Sequence, residues 1–233
     1  MLAAMAGDNT NLKHSAQNQQ TMTTYNKLTT LFNQAKRHKH PYKESEISKN
    51  GIYIMFEKGE THSDLDRVVR IGSHTGQNRL FERIDEHYIG DDHRDSIFRK
   101  HLGRCLLTID KRTDYIKCWD LKIKKREDKA KNLDKINWEL ETKYENKVTD
   151  YIKNNFSFII IPNLTDEVKR IRLEEGLIAT FAQAAENTIS ENWLGKFHPG
   201  SKISNSGLWN IQGINGTSLT EEEIKIIELK LKI

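Results

Sequence analysis

Two short apolar runs, GIYIMFE at 51–57 and DRVVRI at 66–71, constrain this chain more than any other feature. Both are rich in β-branched or aromatic residues and bounded by turn formers, with KGETHSD between them, so they predict two strands closed as a hairpin. FSFIIIP at 156–162 predicts a third, buried strand. Elsewhere the apolar residues recur at helical spacing. Met22, Tyr25, Leu28, Leu31, Phe32 and Ala35 predict an amphipathic helix from Thr21 to about Lys36, ended by the basic KRHKHPYK. Helices are also expected at 79–88, from Ser96 through LGRCLLTI, after a Thr165 cap, and from Thr220, where Glu223 three residues on completes a capping box. The expected architecture is α/β (α+β): a small antiparallel three-stranded sheet flanked by helices.

The organisation follows from these patterns. Residues 1–20 are polar and aperiodic and read as a flexible lead-in, and 21–47 as the N-terminal helix with its basic exit. A central domain spans 48–197, with a charged helical insertion at about 111–155, and a C-terminal extension and helix occupy 198–233. Within the insertion, KIKKREDKAK is the most basic stretch. It reads either as a solvated helix or as a track for a DNA backbone.

Of the 233 residues, 30% are charged and 36% hydrophobic, as expected of a soluble protein with a wet surface. The longest apolar runs fall far short of the roughly 20 residues a membrane span needs, and MLAAMAGDNTN lacks the basic and apolar regions of a secretory signal. Cys105 and Cys118 are the only cysteines and have no CxxC or Cys/His cluster near them, which argues against a disulfide framework or zinc site and for a reducing, cytoplasmic setting. A net charge of +4 leans toward an anionic partner without identifying one.

The chemistry-bearing residues come in a definite order. Gly51-Ile52-Tyr53 lies on the first strand and Arg70-Ile71-Gly72 on its partner. LFERIDEH follows on a helix, and LEEGLI on a later one. This order resembles the GIY-YIG endonuclease family over roughly residues 48–197. The resemblance places Tyr53 at the tyrosine of the GIY element, Arg83 at the family arginine, and His87 at the histidine that several restriction and homing members keep one turn on. Glu174 matches the metal-binding glutamate better than Glu175 does, and Asn192 matches the later asparagine in preference to Asn187. Arg70 stands where the family usually has the tyrosine of YIG, as in some restriction members, and His74 is a candidate to share that tyrosine's work.

The resemblance implies a bacterial, metal-dependent endonuclease that uses Mg²⁺, with Mn²⁺ as substitute, on double-stranded DNA. By analogy with type II restriction enzymes it implies sequence-specific cutting by a homodimer. A nucleic-acid-binding module without turnover and a structure-specific repair nuclease are the alternatives. The chemistry is coherent with the residues. A phenol titrates near 10 in water and serves as a base only with cations beside it. Arg83 offers a planar fork of donors to a phosphate, and His87, four residues on, shares its helix face. Glu174 is a hard oxygen ligand. Tyr53 is expected to project over the sheet while Ile52 and Ile54 face the core. His93, Arg94, Ser96 and Arg99 are expected to bind a phosphate at a helix start, although Ser96 reads equally well as that helix's cap. Taken singly, each of these residues also has an ordinary role: a strand aromatic, a solvated helix face, a surface charge beside Arg170. Trp193 and Trp209 read as core.

Overall fold

The computed structural model describes residues 22–231, so the lead-in expected at 1–20 lies outside the described residues. Four antiparallel strands form one sheet in the order β1-β4-β2-β3: β1 (His38–Lys39), β2 (Gly51–His62), β3 (Leu65–Gly72) and β4 (Phe156–Pro162). The sheet therefore has one strand more than the expected three. β1 is two residues of the basic exit segment, with no strand pattern of their own, paired with Ser157 and Phe158 at the edge of β4. The hairpin runs further than its apolar pattern. Lys58 to His62 continue β2, and the chain turns at Ser63 and Asp64, both at positive φ (48° and 64°), as a tight two-residue turn requires.

Both faces of the sheet are covered, which is why GIYIMF can be apolar without interruption. Ile52, Ile54 and Phe56 pack against Leu28 and Phe32 of α1 (Thr24–Gln34), Leu173 and Leu177 of α7 (Glu167–Ala182), and Ile224 and Ile227 of α9 (Glu221–Leu231). Tyr53 and Met55 enter a second core with Leu80 and Ile84 of α2 (Leu80–Tyr88), Phe98 and Leu102 of α3 (Ile97–Ile109), and Tyr144 and Val148 of α6 (Trp138–Asn155). Short helices α4 (Ile116–Trp119) and α5 (Arg126–Asn132) lead into α6, and α8 (Ser201–Ser206) follows α7. Tyr53 points to the opposite face from Ile52 and Ile54, as expected, but that face is covered as well and Tyr53 is only 1% exposed.

The unbroken register Tyr53–Gly72, Ile54–Ile71 and Met55–Arg70 puts Arg70 on the face of Tyr53. A shift after Met55 then sets Val68 opposite Phe56, leaving Val69 as the extra residue of a bulge. The open edge of β3 is covered by the segment after α8, where the Trp209 amide donates to the Val69 carbonyl at 2.7 Å. The Asn210 side chain accepts from the Ile71 amide (3.1 Å) and donates to its carbonyl (2.9 Å). α7 is capped by Asp166, whose side chain accepts from the Lys169 amide, rather than by the expected Thr165. The Thr220–Glu223 capping box forms as expected. Trp193 and Trp209 are core, as expected: their indoles donate to the buried Glu57 carboxylate at 2.8 and 2.9 Å, and Tyr151 donates to its other oxygen. Cys105 and Cys118 are free thiols, and no helix among the described residues is long and apolar enough to cross a membrane.

His101 of α3, 1% exposed and bonded to His198 at 3.0 Å, has its pKa pushed down to about 2 by burial, with His198 and Arg104 adding to the effect. An unfolded chain titrates histidine near 6.5, so below that pH it takes up a proton that the folded chain refuses, and stability falls as pH falls. His101→Gln cannot titrate. Its destabilisation relative to wild type should shrink by roughly 2 kcal/mol between about pH 7.5 and pH 5 in urea unfolding. A penalty constant with pH would contradict a neutral His101.

Candidate active site

Tyr53 sits at the centre of the second core with its ring laid across the backbone of β3. The partner residue is Gly72, and a Cβ built there would lie 2.2 Å from the phenolic oxygen, so a side chain at 72 and the tyrosine ring cannot share the space. Gly72→Ala should displace the phenol and lower any activity that uses it by a hundredfold or more on the order of magnitude known for misplaced groups, with a smaller effect on folding. Activity within a few-fold of wild type would show that the phenol's position is immaterial.

The phenolic oxygen meets His87 Nε2 at 2.8 Å and an Arg70 Nη at 3.4 Å. Arg70 also donates to the Trp209 carbonyl (3.1 Å) and lies over the Phe98 ring, so it is a buried cation behind the phenol rather than an arm open to solvent. His87 is fully buried on α2, and its pKa is driven well below the usual histidine range by burial, with Arg70, Arg83 and Arg99 acting in the same direction. A neutral ring has one N–H to give. Ser96 Oγ, 2.7 Å from His87 Nδ1, already accepts from the Arg99 amide as the cap of α3, so its hydroxyl hydrogen is free for Nδ1. That assignment leaves the Nε2 hydrogen directed at the phenol. Imidazole and guanidinium then both donate to the phenolic oxygen.

Arg83, one turn before His87, is partly exposed. It donates to Glu86 at 2.5 Å and to the Asp95 carbonyl at 3.2 Å. Burial acts to lower its pKa, but the fields of Tyr53, Glu86 and Glu174 outweigh it and hold the guanidinium charge firmly. Glu174 of α7 accepts a hydrogen bond from the Ser73 hydroxyl, just beyond β3. Burial raises its pKa, while Ser73, Arg70 and Arg83 restrain that rise. Tyr53, Arg70, Arg83, His87 and Glu174, drawn from four elements, thus share one electrostatic neighbourhood. His74 lies beside it: its ring accepts from the Gly51 amide at 3.4 Å and its pKa is lowered by burial and Arg170, but among the described residues it makes no hydrogen bond to Tyr53, Arg83 or Glu174.

Four residues expected to bind phosphate have interior work instead. His93 stacks on Trp119 at 3.6 Å, and its ring nitrogens meet Glu145 (2.6 Å) and the Trp119 carbonyl (2.7 Å). Arg99, fully buried, donates to Glu145 at 2.7 Å, to Thr149 and to the His87 carbonyl. Arg94 is bound by Asp92, Glu141 and the Leu121 carbonyl, and Ser96 orients His87. Their donors face inward because α6 brings two carboxylates under the start of α3, which helical periodicity alone does not show. Asn192 lies exposed in a turn, whereas Asn210 braces β3 beside the site. Sequence reasoning passed over Ser73 and Asn210. A serine directly after the glycine of β3 was a signal for the first, and nothing local marks the second.

A divalent cation suits Glu174. The carboxylate is desolvated, among the described residues it is held only by Ser73, and a hard oxygen donor of this kind fits magnesium, while the nearby Arg70 and Arg83 suit the phosphate such an ion would share. Asp92, His93 and Glu145 also place ligand atoms within 4.8 Å of one another, but Arg94, Arg99 and Trp119 already take up their polar atoms.

No curated protein and no solved structure matches the chain. The sequence model described as the GIY-YIG domain matches residues 13–229, nearly the whole length, so the chain belongs to the GIY-YIG family: it is a nuclease catalytic domain, acting on the phosphodiester bonds of nucleic acid.

Proposed function

We propose that this nuclease is a Mg²⁺-dependent DNA endonuclease, with Mn²⁺ as substitute, that cuts double-stranded DNA at a specific sequence in the manner of a type II restriction enzyme in the bacterial cytoplasm. The observation that carries the reading is that a phenol on β2 and a carboxylate on α7 both act electrostatically on the Arg83 guanidinium of α2. Tyr53, acting as the phenolate, takes the proton of the attacking water and returns to the neutral phenol, its oxygen held in place by the His87 N–H and Arg70. Arg83, with donors to spare beyond Glu86 and Asp95, holds the scissile phosphate and the charge that grows on its oxygens. Glu174 would hold the cation, which when bound would supply Lewis-acid stabilisation of the leaving oxygen. One chain carries one such site among its described residues, so a homodimer is the arrangement that cuts both strands in one encounter.

The test is incubation of the purified chain with supercoiled plasmid, linear duplex, branched and single-stranded DNA in Mg²⁺ or Mn²⁺, followed by sequencing of the ends. The reading expects ends at one fixed sequence in duplex DNA and none in chelator. Ends placed by branches or single strands, without a common sequence, would make it a structure-specific nuclease instead.

A further inference from the structure

The basic segment of the insertion has a place in the fold that a solvated charge run does not need. The chain from Leu121 to Lys125 is pinned at three points: Arg94 Nε donates to the Leu121 carbonyl (3.1 Å), Asn132 donates to the Lys122 carbonyl (3.0 Å), and Ile123 is buried. Lys122, Lys124, Lys125 and Arg126 are left exposed between these anchors. With Ile97, half exposed at the start of α3, the lysines line a cleft of about 290 Å³ in which Asp128 is the one acid. Arg94 and Lys100, deeper in its wall, are already paired with acids, whereas Lys122, Lys125 and Arg126 form no ion pair among the described residues.

The cleft is also adjacent to the site. Lys124 pairs with the Asp95 carboxylate, and the carbonyl of the same Asp95 accepts from Arg83. One residue therefore separates the lysine row from the guanidinium assigned to the scissile phosphate. The Lys124–Asp95 pair is half exposed on both sides, and such solvated pairs contribute little, so they are a small obstacle to exchange for a phosphate.

We infer that this cleft is a second, non-catalytic contact for the sugar–phosphate backbone of the DNA, with Lys122, Lys124 and Lys125 holding phosphates that flank the one at Arg83. The inference deepens the nuclease reading and rests on it for the identity of the ligand. Contacts of this kind fix register without reading sequence, and each neutralised phosphate releases counterions.

The test measures binding of a short mixed-sequence duplex across roughly 50 to 200 mM salt. The proteins are the full chain silenced by Glu174→Gln and the same chain carrying Lys122→Ala, Lys124→Ala and Lys125→Ala. The three substitutions should lower the slope of log affinity against log salt by about 3, one per lysine, with equal weakening on unrelated sequences. A charge-matched control, Lys27→Ala, Lys36→Ala and Lys225→Ala on α1, its exit and α9, lies on the other side of the sheet and should leave the slope near its starting value. An unchanged slope in the cleft variant, an equal loss in the control, or no DNA binding by the silenced chain would overturn the inference. Cleavage assays on the unsilenced chain keep the two ideas apart. DNA bound but never cut, with the slope lost in the variant, sinks the nuclease assignment and leaves the cleft. DNA cut, with the slope retained, does the reverse.

Discussion

Arg83→Ala and Glu174→Gln should each reduce metal-dependent DNA cleavage by about a thousandfold or more while the urea midpoint moves little. Removal of one preorganised group that stabilises transition-state charge typically costs a hundred- to a thousandfold, and loss of a metal ligand adds to that. The small stability effect follows from the surroundings. Arg83 is partly exposed, and its pair with Glu86 lies at the surface, where such bonds contribute about 1 kcal/mol or less. Glutamine at 174 keeps the shape and an oxygen for the Ser73 hydroxyl while removing the charge. Arg83→Lys should not restore activity, because an ammonium keeps the charge but loses the fork that grips two phosphate oxygens. Undiminished cleavage by either variant, checked with plasmid nicking in Mg²⁺, would remove that residue from the site.

The second large effect is on folding. Glu145→Ala should destabilise the chain by roughly 3 to 5 kcal/mol, the usual result of leaving buried charge without its partner. Glu145 accepts from the His93 amide and ring and from Arg99, groups that are fully buried. Burial works against its charge, and His93 and Arg99 outweigh that effect to keep its pKa low. Arg99 in turn holds the His87 carbonyl at 3.0 Å, so the loss should reach the site and lower cleavage as well. Urea unfolding measures the first part. A shift under 1 kcal/mol would mean that the ion pairs beneath α3 are dispensable.

These two predictions mark what was legible in the sequence. The short β-branched and aromatic runs and the 3.6-residue pattern locate β2, β3, β4 and the main helices, and the order of Tyr53, Arg83 and Glu174 along them points to one family. Hydrophobic pattern is local, however, and partners are not. Arg99 and His93 look like phosphate ligands until α6, some 45 residues later in the chain, supplies Glu145 beneath them. β1 exists only because the edge of β4 offers it hydrogen bonds. Asn192 was preferred for its neighbours in sequence, while Asn210 reaches β3 through the fold. The second core over Tyr53 is hidden for a related reason: part of its wall comes from the insertion helix and from Trp193 and Trp209.

The most direct test of the convergence is a crystal of the Mn²⁺-bound protein with a duplex whose scissile linkage resists hydrolysis, read by manganese anomalous scattering. One peak should lie within coordination distance of the Glu174 carboxylate, about 2.2 Å, with a backbone phosphate between it and Arg83 and facing the Tyr53 oxygen. Manganese held instead by Asp92, His93 and Glu145, or a phosphate remote from Tyr53 and Arg83, would contradict the account.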